Sequence, residues 1–236
     1  MRKFGLIGYP LSHSFSPAFF AEKFAREGHV DCSYDAFPLE NIDHLFALIE
    51  NNPGLEGLNV TIPYKKQVIP LLTKSTDAVS KMAACNCIKI KDGTLSGYNT
   101  DVVGFEKSLL PHLSKEHTKA LVLGTGGAAA AVEYVLQKLN IDFLFVSRNS
   151  RPGMNQLAYS EVTQAVIKEH KLIINTTPLG MYPDINSFPD IPYEALGNEH
   201  YLYDLVYNPA ETIFLRKGVE KGAVTKSGAD MLVIQA

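Results

Sequence analysis

The residue types best suited to chemistry stand in three separate segments of the chain. Lys65 ends residues 59–65 (NVTIPYK), Asp101 ends residues 97–101 (GYNTD), and residues 124–129 (GTGGAA) follow an apolar run. A lysine ammonium can stabilise the negative charge that develops on a carbonyl oxygen during reduction and can donate a proton to it. A carboxylate can accept hydrogen bonds from that lysine and from a substrate hydroxyl. We therefore hypothesise hydride transfer to a small polyhydroxylated molecule, with Lys65 and Asp101 as the catalytic residues.

The glycine-rich segment matches the fingerprint of dinucleotide-binding sites, with alanine at its third small position. Gly124 permits a tight turn from strand to helix, Gly126 lets the backbone approach a pyrophosphate, and Ala129 keeps the helix close to the strand. The first turn of the helix then offers N–H groups and its positive dipole end to phosphate. The alternative interpretation is a tight turn with a purely structural role.

The residues after the next strand decide between the two nicotinamide cofactors. NAD sites usually place Asp or Glu there, about 20 residues past the glycines, to hold the ribose 2′-hydroxyl. This chain has residues 147–151 (SRNSR) instead, with no carboxylate among them. The planar guanidinium of an arginine such as Arg148 suits a 2′-phosphate because it can bind two phosphate oxygens at once. The sequence therefore predicts NADP, against the alternative of a solvated basic loop.

Composition and charge exclude several classes of function. The 236-residue chain is 46% hydrophobic with a net charge of −3, which is typical of a globular protein without a basic field for nucleic acid. No apolar run approaches the ~20 residues of a membrane span. The cysteines are Cys32, Cys85 and Cys87, and the close pair lacks the two-residue gap of redox and zinc motifs. We expect a cytoplasmic protein with reduced thiols, no metal, and no nucleic-acid or membrane partner, either a monomer or a homodimer.

Apolar periodicity and turn signals predict alternating strands and helices. This alternation indicates an α/β protein with largely parallel sheets, in which a hairpin around Asp92-Gly93 supplies an antiparallel edge. We predict one domain over 1–101 and a second over 102–228, with 229–236 as a segment that could pack back on the first. The expected strands are 3–8, 32–38, 55–62, 84–90, 94–98, 119–124, 141–147, 171–175, 201–205 and 223–226, and the expected helices are 16–27, 40–51, 102–113, 126–140, 210–221 and 229–235.

Several longer motifs resemble those of the shikimate dehydrogenase (shikimate/quinate dehydrogenase) family. They occur in the same order and extend over nearly the whole chain, so chance agreement is implausible. The matching segments are residues 8–17 (GYPLSHSFSP), residues 59–65, Asn86, residues 98–101, the glycine segment 124–129, and residues 175–181 (NTTPLGM).

The resemblance implies an NADP-dependent reduction of 3-dehydroshikimate to shikimate, in the biosynthesis of chorismate and aromatic amino acids. It implies an N-terminal mixed α/β substrate domain followed by a Rossmann-type, doubly wound dinucleotide-binding domain. The implied substrate contacts are Ser14, Ser16, Asn59, Thr61, Lys65, Asn86, Asp101, Tyr207 and Gln235, with Lys65 and Asp101 as the catalytic pair. The implied cofactor contacts are Gly124, Thr125, Gly126, Gly127, Ala128, Ser147, Arg148, Asn149, Thr176, Leu205 and Gly228.

The chain departs from the family pattern at two places within its motifs. Phe19 and Phe20 stand where family members commonly have a His-Asn pair, which we interpret as a change in packing. Residues 229–231 (ADM) replace a more usual small, apolar start of the final helix, and family members usually continue beyond the position of Ala236. Two alternatives stay open: a quinate/shikimate dehydrogenase of broader specificity, and a non-catalytic NADP-binding regulatory module.

Overall fold

The computed structural model describes residues 1–11, 16–148 and 155–235. The chain forms two compact units, Met1–Thr100 and Asp101–Ala236. The predicted boundary lay one residue further along the chain. Within the described ranges, no helix is both long and apolar enough to cross a membrane.

The first unit alternates strands and short helices, as the periodicity predicted, but adds elements that carry no clear apolar pattern. Its strands are β1 (Arg2–Gly8), β2 (Cys32–Pro38), β3 (Leu55–Val60), β4 (Lys74–Ser75), β5 (Cys87–Lys91) and β6 (Thr94–Tyr98). Its helices are α1 (Ser16–Glu27), α2 (Leu45–Glu50), α3 (Tyr64–Gln67) and α4 (Asp77–Met82). The predicted helix 40–51 is replaced by a 3-10 turn over Ile42–His44 followed by α2. Asn41 caps that turn, since its side chain accepts a hydrogen bond from the Asp43 amide.

The strands of the first unit form one mixed sheet in the order β2-β1-β3-β5-β6-β4. β2, β1 and β3 run parallel, whereas β5 is antiparallel to both β3 and β6. The β5–β6 turn uses positive φ at Asp92 (49°) and Gly93 (73°), as expected for a two-residue hairpin. The hairpin was predicted to form the edge of the sheet, and this was wrong because β4 pairs parallel with β6 outside it. A two-residue Lys-Ser strand has no alternating pattern by which the sequence could reveal it.

The second unit contains one fully parallel sheet. Its strands are β7 (Lys119–Leu123), β8 (Asp142–Ser147), β9 (Gln156–Ala158), β10 (Leu172–Asn175), β11 (Tyr201–Asp204) and β12 (Val224–Ser227). Its helices are α5 (Thr100–Leu109), α6 (Gly127–Lys138), α7 (Gln164–Glu169), α8 (Ile213–Glu220) and α9 (Ala229–Gln235). The order β12-β11-β10-β7-β8-β9 reverses between β7 and β10, which is the doubly wound arrangement.

Both faces of this sheet are covered, as an all-parallel sheet requires. On one face Leu202 packs in a core with Leu121 and with Phe214 of α8. On the other face Tyr203 contacts Phe105 of α5 edge-on at 5.1 Å, and its hydroxyl lies 2.6 Å from the Ser108 hydroxyl. Alternation along β11 therefore directs neighbouring side chains to opposite faces of the sheet.

Helix α9 belongs to the second unit, where it packs closely on α5. A Cβ on Gly104 would lie 2.7 Å from the Met231 carbonyl oxygen and 3.2 Å from the Gln235 Cβ, so only glycine fits there. The prediction that residues 229–236 pack back on the first domain stays a prediction.

Candidate functional site

Three of the candidate substrate contacts in the first unit are joined through the backbone near the carboxyl end of β3. The Tyr64 amide donates to the Thr61 carbonyl at 2.9 Å, and the Cys85 amide donates to the Lys65 carbonyl at 2.7 Å. The Val60 amide donates to the Asn86 carbonyl at 2.9 Å. Thr61, Lys65 and Asn86 therefore lie on connected turns, and the Lys65 carbonyl is held by the residue that precedes Asn86.

Asn86 is buried, with 8% of its surface exposed, and its amide orientation is fixed. Its Oδ1 accepts hydrogen bonds from the Thr100 amide at 2.8 Å and from the Thr100 hydroxyl at 3.3 Å. Because Oδ1 is occupied by these two bonds, the Nδ2 group on the opposite side of the side-chain amide is the part that can donate to a ligand.

Asn59 is held by a second chain of hydrogen bonds. The Tyr34 hydroxyl donates to Asn59 Oδ1 at 2.8 Å, and the Ser16 side chain hydrogen-bonds to the same phenol. Ser16 and Asn59, both candidate substrate contacts, are thus connected through a tyrosine that sequence reasoning did not single out. An aromatic residue in a strand is the ordinary consequence of strand propensity, so the sequence contained no signal for this role.

Lys65 is half-buried at the second position of α3. Burial raises the pKa of the Cys85 thiol, and the Lys65 ammonium opposes that rise, which places the charge within electrostatic reach of the thiol. Asp101, the other candidate catalytic residue, lies in the first turn of α5, where the helix dipole favours a carboxylate. It is the first residue of the second unit.

Six of the nucleotide candidates line a cavity of about 350 Å³ in the second unit, at the point where the strand order reverses. Ligands of doubly wound sheets bind at this position, beyond the carboxyl ends of the strands. The cavity is lined by Gly124, Thr125, Gly126, Val146, Ser147, Arg148, Tyr159, Thr176, Thr177, Pro178 and Leu179.

The glycines of this segment serve two different needs. Gly124 has φ of +105°, and a Cβ there would lie 2.9 Å from both Thr176 Oγ1 and Thr177 Cγ2. The fold itself therefore requires this glycine. A Cβ on Gly126 or Gly127 would meet no atom within 4 Å among the described residues. The space beside them suits a phosphate group approaching the first turn of α6, where Ala128 also lies exposed.

The end of β8 carries the predicted phosphate-binding arginine. Arg148 is exposed at the cavity, and its charge opposes the rise that burial causes in the pKa of Tyr159. Tyr159 is a lining residue that sequence reasoning missed, since it follows Arg148 by eleven positions without a recognisable motif. On the other side of the cavity, the Thr176 hydroxyl donates to the Leu123 carbonyl at 2.8 Å and joins the ends of β10 and β7.

A buried carboxylate organises the loops beside this cavity. Asp204 Oδ1 accepts hydrogen bonds from Asn175 Nδ2 at 2.9 Å and from the Val206 amide at 3.0 Å, and Oδ2 accepts one from the Thr212 hydroxyl at 2.6 Å. Asn175 Oδ1 in turn accepts from the Thr177 hydroxyl at 2.6 Å. Burial raises the pKa of Asp204 to about 6, and these three hydrogen bonds oppose the rise.

The remaining candidates lie after β11 and β12. Gly228 packs against Leu205, because the Gly228 amide donates to the Val206 carbonyl at 3.1 Å and a Cβ would collide with the Leu205 carbonyl. Tyr207 is 49% exposed on the following loop. Gln235 ends α9 with its side-chain amide oxygen, Oε1, buried and without a hydrogen-bond partner among the described residues.

Ser14 and Asn149 lie outside the described residues. Within residues 1–11, 16–148 and 155–235, no three His, Cys, Asp or Glu side chains gather in a way that could hold a metal ion.

The reversed parallel sheet, the glycine turn and the cavity beside it define a dinucleotide-binding α/β protein. A family model described as the shikimate dehydrogenase substrate binding domain matches residues 6–88. A relative from Methanosphaera stadtmanae, named shikimate dehydrogenase (NADP(+)), is 34% identical over 248 residues, covering 98% of this chain and 87% of the relative. The chain belongs to the shikimate dehydrogenase family.

Solved structures extend this similarity to both units. A shikimate 5-dehydrogenase from Thermus thermophilus, solved in complex with NADP(H) and shikimate, is 30% identical with a TM-score of 0.81. That comparison covers 100% of this chain and 90% of the other. A quinate dehydrogenase from Corynebacterium glutamicum, solved with NAD, is 25% identical with a TM-score of 0.86, covering 99% of this chain and 90% of the other.

Proposed function

We propose that this protein catalyses the reversible, NADP-dependent reduction of 3-dehydroshikimate to shikimate. The observation that carries the proposal is the fixed position of Lys65, whose main chain is tied to the turns bearing Thr61 and Asn86. A lysine anchored beside polar side chains can be presented to one oxygen of a bound molecule. Family membership supports the same reaction.

The residues around the nucleotide cavity fit NADP. The open space at Gly126 and Gly127 accommodates phosphate at the first turn of α6, and the exposed Arg148 suits a 2′-phosphate. When bound, the reduced cofactor supplies the hydride. Thr125, Ser147 and Thr176 would contribute hydroxyl groups to its binding, and Leu205 with Gly228 would provide an apolar wall for the nicotinamide.

On the substrate side, each group has a separate task. Lys65 would stabilise the developing charge on the carbonyl oxygen and donate the proton that makes it a hydroxyl. Asp101 would accept a hydrogen bond from a substrate hydroxyl, which orients the ring. The remaining contacts, Ser14, Ser16, Asn59, Thr61, Asn86, Tyr207 and Gln235, would bind the hydroxyls and the carboxylate of the substrate.

The decisive assay compares two neighbouring lysines of α3. Lys65→Ala should lower kcat for shikimate oxidation with NADP by a factor on the order of 10² or more, while the Kd for NADP stays near that of the wild type. Lys66→Ala is the matched control, since Lys66 is exposed on the same short helix, and it should retain wild-type turnover. Equal kcat values in the two variants would remove Lys65 from the mechanism.

Substrate range and assembly need separate measurements. Quinate in place of shikimate, with either cofactor, tests the broader specificity suggested by the quinate dehydrogenase of similar fold. Comparable kcat/KM for quinate would replace the strict function with the broader one. Light scattering on the purified protein would decide between the expected monomer and homodimer.

A further inference from the structure

We propose that Tyr34 is a positioning residue for substrate recognition, which acts by fixing the side chains of Asn59 and Ser16. This inference rests on the proposed function, because it concerns the same substrate. Tyr34 itself need not touch the substrate. Its phenol determines which atoms of its two neighbours are presented to a bound molecule.

The geometry requires a long side chain at this position. Tyr34 lies on β2 and Asn59 on β3, and β1 runs between these two strands. Neighbouring strands lie about 4.8 Å apart, so the hydrogen bond must reach over the face of β1, across roughly twice that spacing. The 2.8 Å bond from the Tyr34 hydroxyl to Asn59 Oδ1 shows that the phenol spans this gap. A serine or threonine on β2 could not reach it.

The bond determines the chemistry that Asn59 can offer. An asparagine side chain has an acceptor oxygen on one side and an NH₂ donor group on the other. Because Tyr34 donates to the oxygen, the amide cannot rotate without losing that bond, and its N–H groups point away from Tyr34. Asn59 is therefore held as a donor, suited to the hydroxyl, ketone or carboxylate oxygens of the substrate.

The phenol is suited to this task over the whole working pH range. Burial raises the pKa of Tyr34, and the hydrogen bond from Ser16 only partly opposes the rise. The hydroxyl therefore remains protonated and remains a donor to Asn59. The Ser16 side chain also hydrogen-bonds to this phenol, so the two candidate substrate contacts are linked through one tyrosine.

The ring is itself held in place by Phe20. The two rings stack with centroids 4.3 Å apart and an angle of 10° between their planes. Phe20 is one of the two phenylalanines by which this chain departs from the family's usual His-Asn pair. The stack gives that departure a physical reason, because a flat aromatic neighbour restricts the motion of the tyrosine ring.

Tyr34→Phe tests the inference with little risk to the fold, since the stacked ring stays and only the hydroxyl is removed. The Kd of shikimate, measured by isothermal titration calorimetry, and the KM for shikimate should both rise about tenfold, as expected for one lost hydrogen bond. The KM for NADP should stay within about twofold of wild type. Tyr201→Phe is the matched control, because its buried hydroxyl has no partner among the described residues. That variant should leave shikimate binding unchanged.

A double-mutant cycle separates positioning from a general loss of structure. If Tyr34 acts mainly through Asn59, Tyr34→Phe in an Asn59→Ala background should change the Kd of shikimate by at most about twofold. The same tenfold loss in both backgrounds would overturn the inference, as would an unchanged Kd in Tyr34→Phe alone. Wild-type protein that neither binds nor oxidises shikimate would instead refute the proposed function, and the inference with it.

Discussion

The buried carboxylate of Asp204 predicts an unusual dependence of stability on pH, which Asp204→Asn should abolish. The pKa of Asp204 is raised from an ordinary 3.8 to about 6 by burial. At 1.36 kcal/mol for each pKa unit, that difference corresponds to about 3 kcal/mol. The folded protein binds the proton more strongly than the unfolded chain, so the carboxyl favours folding below pH 3.8. That contribution is lost as the pH rises through about 6.

The substitution should preserve the local geometry. An asparagine oxygen can still accept from Asn175 and the Val206 amide, and its nitrogen can donate to the Thr212 hydroxyl. Only the titration is removed, so the difference between the two proteins isolates one group.

Urea denaturation of wild type and variant between about pH 4 and pH 7.5 measures this difference. The free energy of unfolding of the wild type, relative to Asp204→Asn, should fall by roughly 2.5 kcal/mol over that range and level off above pH 7. Asp142→Asn, at the exposed start of β8, is the control and should run parallel to the wild type. Parallel curves for wild type and Asp204→Asn would refute the assignment of this pH dependence to Asp204.

Three further substitutions test the nucleotide site. Gly124→Ala should lower stability by about 1–3 kcal/mol, because its φ of +105° and its contacts with Thr176 and Thr177 strain any side chain. Gly126→Ala should leave thermal stability nearly unchanged and weaken NADP binding, since its Cβ would enter the open space beside α6. A melting temperature lower for Gly126→Ala than for Gly124→Ala would contradict both predictions. Arg148→Ala should weaken NADP binding by roughly tenfold or more and leave NAD binding nearly unchanged, and equal losses with both nucleotides would disprove the 2′-phosphate assignment.

The sequence was sufficient for the parts of the fold that depend on local pattern. The parallel sheet of the second unit follows from apolar strands separated by periodic helices, and the turn at Gly124 follows from a fingerprint whose first glycine has a steric cause. The short strands β4 and β9 and the helices α3, α4 and α7 were not predicted, because elements of two to six residues contain too few positions for a period to emerge.

The contacts that organise the candidate site arise between residues far apart in the chain. Tyr34 reaches Asn59 over twenty-five positions, and Asp204 reaches Asn175 over twenty-nine. Neither residue stands out in the sequence of its own strand, since a tyrosine within a strand and an aspartate at a strand end are both common and do not indicate a partner. Only the strand order brings the partners together, because it places β2 and β3 on either side of β1 and places β10 beside β11.

The side-chain hydrogen bonds of the asparagine residues distinguish the asparagines that can bind a ligand from one that stabilises the fold. Asn175 uses both ends of its amide internally, since it donates to Asp204 and accepts from Thr177. Within the described residues, the side-chain hydrogen bonds of Asn59 and Asn86 all fall on the amide oxygen, from Tyr34 and from Thr100. Two donors fixed by independent partners favour a ligand rich in acceptor oxygens. A ligand that lacked one of those oxygens would leave an N–H group without a hydrogen-bond partner. Its affinity should therefore fall by more than the contribution of the one missing hydrogen bond, because the unpaired N–H group is itself unfavourable.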